Sequence, residues 1–272
     1  MSTVVIKRVG TAVILIPVFI GIVKGAPAWL FVLVVIAVAA VAAGELGRMF
    51  ERAGVPVYGR LGVAAASVVT ASFATPFMTP AALVPAVVLT VAIAAVLSAP
   101  VWLGARPSVE PVALTLLGVV YVGWFLGHAI SLHRTADGPD LILFLAGVTW
   151  IGESAAYAVG STLGRHKLAS AISPNKTMEG AVAQFAASVF AAVGLAAWLV
   201  PEWTAIRAAG AGALLGVTGQ VGDLAESAMK RSVDVKDTGS LIPGHGGVLD
   251  RLDGLLFNAP ALYYYVALGV RT

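Results

Sequence analysis

The sequence predicts an all-α, polytopic integral membrane protein with about nine transmembrane helices, and three observations predict it. Of 272 residues, 59% are hydrophobic and only 11% are charged, against about 25% charged in a soluble domain. The apolar residues fall in long runs, and about 20 residues of helix are needed to cross a hydrocarbon core of about 30 Å. The basic residues lie between these runs rather than on one soluble face, which is a pattern of membrane topology and not of nucleic-acid binding. With no cysteine in the chain, a disulfide framework, a thiolate metal site and a cysteine nucleophile are all excluded.

Runs and breakers place the helices near 9–24, 28–44, 61–76, 80–98, 112–131, 141–163, 180–200, 206–230 and 249–269. Lys7 and Arg8 followed by the apolar stretch Val9–Val23 look like the start of a signal peptide. A second apolar run begins almost at once, without a cleavage site leading into a soluble domain, so the first run is read as a retained helix. The third and fourth spans are separated only by Thr75, Pro76 and their neighbours. With the N-terminus cytoplasmic, 13 of the 17 Lys and Arg residues fall on the cytoplasmic side and 4 on the other, as the positive-inside rule requires. That orientation puts the charge-rich loops 164–179 and 231–248 on the same, cytoplasmic, side of an inner membrane. Gly and Ala in spans such as Ala208–Gly222 suit close helix packing in lipid. The Trp residues and Tyr263–Tyr265 read as interface belts or core.

The division expected is functional. Residues 1–135 supply N-terminal helices for packing, lipid access and contact between copies, and residues 136–272 carry the chemistry.

Charge inside a membrane span costs on the order of 2.5–3.5 kcal/mol per ionised residue by insertion scales. Six of the 14 acidic residues nevertheless fall within the last spans and their loop: Asp223, Glu226, Asp234, Asp237, Asp250 and Asp253. Lys230, Arg231, Lys236 and Arg251 interleave with them. Asp223 and Glu226 are three residues apart on one helix, and Lys230 is four beyond Glu226 on the same face. Asp250 and Asp253 repeat the spacing at the start of the last span. Carboxylate pairs of this kind suit Mg²⁺, which takes carboxylate and phosphate oxygens and keeps several waters. Flanking cations then neutralise charge on transferring phosphoryl oxygens.

Gly244, Gly246 and Gly247 allow a backbone that approaches phosphate, and Asp250 is expected to open a helix whose N-terminal amides favour anions. His245 between them either contacts phosphate or does acid–base work, or is a loop histidine with a structural hydrogen bond. Upstream, Ser173, Asn175, Lys176, Thr177 and Glu179 precede the seventh span. Ser173, Lys176 and Thr177 are candidate phosphate contacts; alternatively Asn175 or Thr177 caps the helix and Glu179 complements its N-terminus. Glu153, within the sixth span, is a functional candidate because it is an intramembrane carboxylate, or a protonated acid bonded between helices.

The run Ser227-Ala-Met-Lys230-Arg231, then Lys236-Asp237, Gly239, Pro243, His245-Gly246-Gly247 and Asp250-Arg251-Leu-Asp253 resembles the signature of the phosphatidate cytidylyltransferases, the CDP-diacylglycerol synthases. Ser173–Gly180 is similar to a second motif of that family. One position departs: Glu153 stands where the family usually has Asp, so it is given no ligand role. The resemblance implies a membrane-embedded nucleotidyltransferase that makes CDP-diacylglycerol and pyrophosphate from CTP and phosphatidate with Mg²⁺, with K⁺ as a candidate second cation. It implies that Asp223 and Asp250 hold the metal and that Lys230, Arg231, Lys236 and Arg251 hold the triphosphate and the lipid phosphate. It also implies that Asp237, Asp253 and the His245-Gly246-Gly247 turn shape the site, and that the protein is a homodimer. The alternative from another class is an ion-coupled secondary membrane transporter, which predicts a second charged break in the first half; none is visible there. A CDP-alcohol phosphotransferase is also weighed, because Asp250-Arg-Leu-Asp-Gly254 matches the start of that motif, but its later residues do not follow.

Overall fold

The computed structural model describes residues 16–75, 83–104, 108–239, 241 and 246–269. Lys7, Arg8, Pro76, Pro243, Gly244 and His245 of the sequence reading lie outside these residues.

Among the described residues, helices stand at Ile16–Gly25 (α1), Ala28–Arg52 (α2), Gly59–Ser72 (α3), Val84–Trp102 (α4), Val109–His133 (α5), Gly138–Leu163 (α6), Met178–Leu199 (α7), Ala205–Arg231 (α8) and Asp253–Gly269 (α9). Five of them, α2, α4, α5, α6 and α7, are long and apolar enough to cross a membrane. The remaining four are shorter or, in α8, interrupted by Gly and by charge. The mainly helical, membrane-type character expected from composition is therefore present, and five helices meet the length and hydropathy a crossing needs.

One local expectation is corrected. The stretch 164–179 is not merely a charged loop: Lys167–Ala169 (β1) and Ser173–Thr177 (β2) pair as a short antiparallel hairpin, with Lys167 opposite Thr177 and Ala169 opposite Ser173. Three to five residues are too few for a periodicity of two to stand out from a loop. Thr177 then caps α7, its Oγ accepting from the Gly180 N–H at 3.2 Å, as N-cap threonines do.

The ends of α2 also differ from the hydropathy reading. The apolar run stops at residue 44, but the helix continues to Arg52 because Glu, Leu, Arg and Met are good helix formers. It stops where Gly54 adopts φ +78°. The Val55 N–H bonds to Phe50 O and the Gly54 N–H to Glu51 O, which is a Schellman termination. This extension puts Glu45 inside a buried helix face.

The chain forms two compact units. The first comprises 1–131 with 233–251. In it α2 packs on α3, α3 packs on α4 and on the middle of α5, and the short 3₁₀ turn Leu249–Arg251 packs on α2. The second comprises 132–232 with 252–272. There α6, α7, α8 and α9 pack in sequence order and α9 returns to α6, with the β-hairpin beside α7.

Small residues set the spacing of the second unit. A Cβ at Gly212 of α8 would lie 2.6 Å from Ala192 Cβ and 2.6 Å from Ser188 O of α7. Glycine permits this approach, and dispersion between the two backbones replaces a hydrophobic drive that lipid does not supply. Gly194 of α7 has open space around the same position. Gly212→Ala is therefore expected to destabilise by about 1–3 kcal/mol through overpacking, although alanine is the better helix former by about 1 kcal/mol. Gly194→Ala is expected to be neutral or stabilising, and thermal unfolding of the two variants in detergent measures the contrast.

Candidate functional site

The second unit holds a cavity of about 520 Å³. Its wall is built by α6 (Glu153, Tyr157, Ser161), the hairpin (Lys167, Asn175, Lys176, Thr177), α7 (Gln184) and α8 (Gln220, Asp223). These side chains come together for a sequence reason. The last turns of α6 and the first turns of α7 carry Gly160 and Gly180, and a Cβ at Gly180 would lie 2.9 Å from Ala156 O. The close approach brings the hairpin strand over the end of α8.

Asp223 and Lys176 are the charged centre of this wall. Lys176 Nζ lies 2.7 Å from Asp223 Oδ2, with the two side chains 26% and 33% exposed. The pair is close but not aligned as a hydrogen bond, so the Lys176 Nζ atom is buried without a hydrogen-bond acceptor. Ser227 Oγ stands 3.5 Å from Asp223 Oδ1, one turn further along α8. A buried ammonium beside a carboxylate, in a cavity with amide and hydroxyl donors, suits an anion and a hard cation together.

Other predicted residues of this unit have local partners. Glu226 is 1% exposed and accepts from Lys230 Nζ at 2.9 Å. Arg231 Nε donates to Ile172 O at 3.3 Å, which ties the end of α8 to the hairpin turn. Glu179 accepts from the Arg165 and His166 N–H groups and sits 2.6 Å from His166 Nδ1; it holds the start of the hairpin and is not part of the cavity wall. Ser173 is half-buried at the start of β2 and also lies off that wall. Asp253 heads α9 and accepts from the Gly254 N–H at 2.9 Å.

The first unit holds the other predicted residues. Asp250 is 4% exposed. Its Oδ2 accepts from Thr238 N–H at 3.0 Å, Thr238 Oγ–H at 3.0 Å and Gly247 N–H at 2.8 Å, and Oδ1 is 3.3 Å from Thr238 N. Gly246 has φ +82°, and a Cβ there would lie 2.8 Å from Asp250 Oδ2, so the turn needs glycine for both conformation and space. Lys236, Asp237 and Arg251 are exposed. Asp250 does not open a helix as expected: it lies in the 3₁₀ turn Leu249–Arg251, and α9 starts at Asp253. The carboxylate itself collects the loop's amides, which leaves the backbone in a tighter turn than an α-helical start.

Contributors not read from the sequence include Tyr157, Ser161, Lys167, Gln184 and Gln220 of the cavity wall and Glu45 of α2. Gln184 and Gln220 lie in apolar helices, where amides look like helix-packing glue; Gln220 Nε2 donates to Ala181 O at 2.8 Å. Glu45 is 2% exposed in α2 and accepts from Leu249 N–H at 2.9 Å. Its visible signal was a carboxylate directly after an apolar run, and the first half of the chain therefore does carry a buried charged-type side chain.

A family model described as the cytidylyltransferase family matches residues 6–268. The chain belongs to the cytidylyltransferase family. The chain is 39% identical over 165 residues to the phosphatidate cytidylyltransferase of Bacillus subtilis, a match covering 58% of this chain and 60% of that one. It is 38% identical over 165 residues to the phosphatidate cytidylyltransferase of Staphylococcus saprophyticus, again 58% and 60%. It is 37% identical over 153 residues to Escherichia coli YnbB, covering 56% and 50%. The chain thus spans about three fifths of the length of the curated phosphatidate cytidylyltransferases it matches.

The oxygen-rich donor set of the cavity fits Mg²⁺ in chemical type. Among the described residues no three Asp, Glu or His side chains converge as a closed protein site. Mg²⁺ is commonly held by one or two carboxylates plus substrate phosphates, and Asp223 is a carboxylate on the cavity wall.

Removing the Asp250 carboxylate should loosen its loop. Asp250→Ala leaves two N–H groups and one hydroxyl without their acceptor, at about 1–3 kcal/mol for a buried orphaned group. Asp250→Asn keeps one acceptor oxygen and should lose less. Denaturant unfolding of the two purified variants, compared with the unsubstituted protein, checks the order.

Proposed function

We propose that this protein is a membrane-embedded phosphatidate cytidylyltransferase, making CDP-diacylglycerol and pyrophosphate from CTP and phosphatidate. The observation that carries the reading is the Lys176–Asp223 pair on the wall of the 520 Å³ cavity. A cation of the kind that binds phosphate and a carboxylate of the kind that binds a hard cation stand there side by side, in a chain of the cytidylyltransferase family. The Bacillus and Staphylococcus relatives, which are phosphatidate cytidylyltransferases, add to it.

In the proposed reaction an oxygen of the phosphatidate phosphate attacks the α-phosphorus of CTP. One P–O bond forms, the α–β bond breaks, and its electron pair leaves on pyrophosphate. The attacking oxygen is ionised near neutral pH, so no general base is required, and positioning with charge neutralisation supplies the rate. Lys176 binds a phosphate oxygen once substrate competes for the ammonium now held by Asp223. Asn175, Thr177 and Gln220 orient the remaining polar atoms of the ligand. Mg²⁺, when bound, supplies neutralisation of phosphate oxygens, with Asp223 and Asp250 as its proposed carboxylates, the second on the strength of the sequence resemblance. Lys230, Arg231, Lys236 and Arg251 keep the anion-binding roles that the same resemblance implies, and K⁺ remains the proposed second cation.

The proposal extends to about nine crossings of the inner membrane, a cytoplasm-facing active site and a homodimer. The Lys and Arg bias of the loops supports the orientation, and cytoplasmic CTP requires it.

Purified protein with labelled CTP, phosphatidate and Mg²⁺ should yield labelled CDP-diacylglycerol, and chelation of the metal should stop it. Asp223→Asn should lower turnover at least 100-fold while the protein still inserts and extracts normally, a loss in the range seen for removal of one transition-state electrostatic contact. Turnover within twofold of the unsubstituted enzyme would remove Asp223 from the metal role. Lys176→Ala should raise KM for one or both substrates, read from initial rates at varied CTP and phosphatidate.

A further inference from the structure

Glu45 lies on α2 among Ala42, Ala43, Leu46 and Met49, all of them buried, and is itself 2% exposed. A carboxylate in such surroundings is costly unless donors meet its oxygens. Here the donor is a backbone amide from a distant part of the chain: Leu249 N–H bonds to Glu45 Oε2 at 2.9 Å, across 204 residues of sequence. The loop is also shaped to admit the side chain. A Cβ at Gly239 would lie 2.6 Å from Glu45 Oε1, and one at Gly247 would lie 2.6 Å from Oε2. Two glycines therefore leave the space that one glutamate fills, and Leu249 is the residue directly before Asp250.

We propose that Glu45 is a positioning residue for the cytidylyltransferase reaction, fixing Leu249 beside Gly239 and Gly247 and, through it, Asp250 and the Gly246–Gly247 turn. The proposal rests on the functional reading of that loop given above. Glu45 and Asp250 divide the work: Asp250 gathers Thr238 and Gly247, and Glu45 anchors Leu249. Without Glu45 the Leu249 amide loses its acceptor beside the residue whose geometry the reaction needs. Small displacements of such groups cost rate heavily, because catalysis by positioning falls steeply with misplacement.

Two substitutions separate an acceptor from a space-filler. Glu45→Gln keeps a carbonyl oxygen at nearly the same volume, whereas Glu45→Met keeps the volume and removes the acceptor. Glu45→Gln should keep turnover within threefold of the unsubstituted enzyme, and Glu45→Met should lose at least tenfold. Hydrogen–deuterium exchange of peptides covering 238–250, read by mass spectrometry in detergent, should be at least tenfold faster in Glu45→Met and near normal in Glu45→Gln, with α6–α9 unchanged in both. If Glu45→Met does not fold, Gly239→Ala tests the same contact from the loop, because its Cβ would displace Glu45 Oε1; faster exchange and lower turnover are expected. Equal turnover and equal exchange in Glu45→Gln and Glu45→Met, or a Gly239→Ala protein indistinguishable from the unsubstituted one, would overturn the proposal. The exchange measurement needs no turnover, so absent CDP-diacylglycerol formation in the unsubstituted protein would count against the functional reading and leave the loop contact separately decided.

Discussion

A backbone amide buried outside helix and sheet has to find its hydrogen-bond partner in a side chain, because water no longer reaches it. The amides of Thr238, Gly247 and Leu249 meet that constraint by ending on side-chain carboxylates. Asp250 takes Thr238 and Gly247, and Glu45 takes Leu249. Neither contact is helical or sheet-like: two acids hold these three amides. The near-absence of side chains at Gly239, Gly246 and Gly247 is the complement of this arrangement, since each leaves room for a carboxylate oxygen.

The same economy of charge governs the second unit. Glu226 is almost fully buried and is met by Lys230 one turn later. Glu179 is met by the amides and imidazole at the start of the hairpin, and Arg231 by a carbonyl of the hairpin turn. The pair that borders the cavity differs from these. Lys176 and Asp223 are close without hydrogen-bond alignment, so a competing anion and cation can exchange with each partner at smaller cost than in a well-aligned bidentate pair. Buried polar groups away from the cavity are bonded to one another: Asn258, Thr218 and Thr149 connect α9, α8 and α6. That network fixes the helices whose ends carry the cavity wall, which suits a binding site on rigid elements.

Much of the candidate site was legible because ionisable residues are rare in an apolar chain and therefore conspicuous. Lys176 and Asp223 were both singled out from position alone, though 47 residues apart, and the structure joins them at 2.7 Å. Ser173 and Glu179 were singled out on the same grounds, yet strand pairing and the hairpin's own amides account for where they lie. Gln184 and Gln220 escaped notice because an uncharged amide in a helix carries no such signal. Asp250 was expected at a helix start; its hydrogen bonds to the loop instead stabilise a 3₁₀ turn, a choice that depends on donors twelve residues away.

By itself the sequence determined the helical, membrane-type class and the positions of the helices, since both follow from local hydropathy and breaker residues. It also singled out a few candidate residues for chemistry, because charge stands out against an apolar background. Tertiary structure alone decided which of those charges meet. The hairpin that carries Lys176 to Asp223 and the helix extension that carries Glu45 to Leu249 depend on backbone hydrogen bonds and packing between distant segments. Neither a hydropathy window nor a residue spacing contains that information.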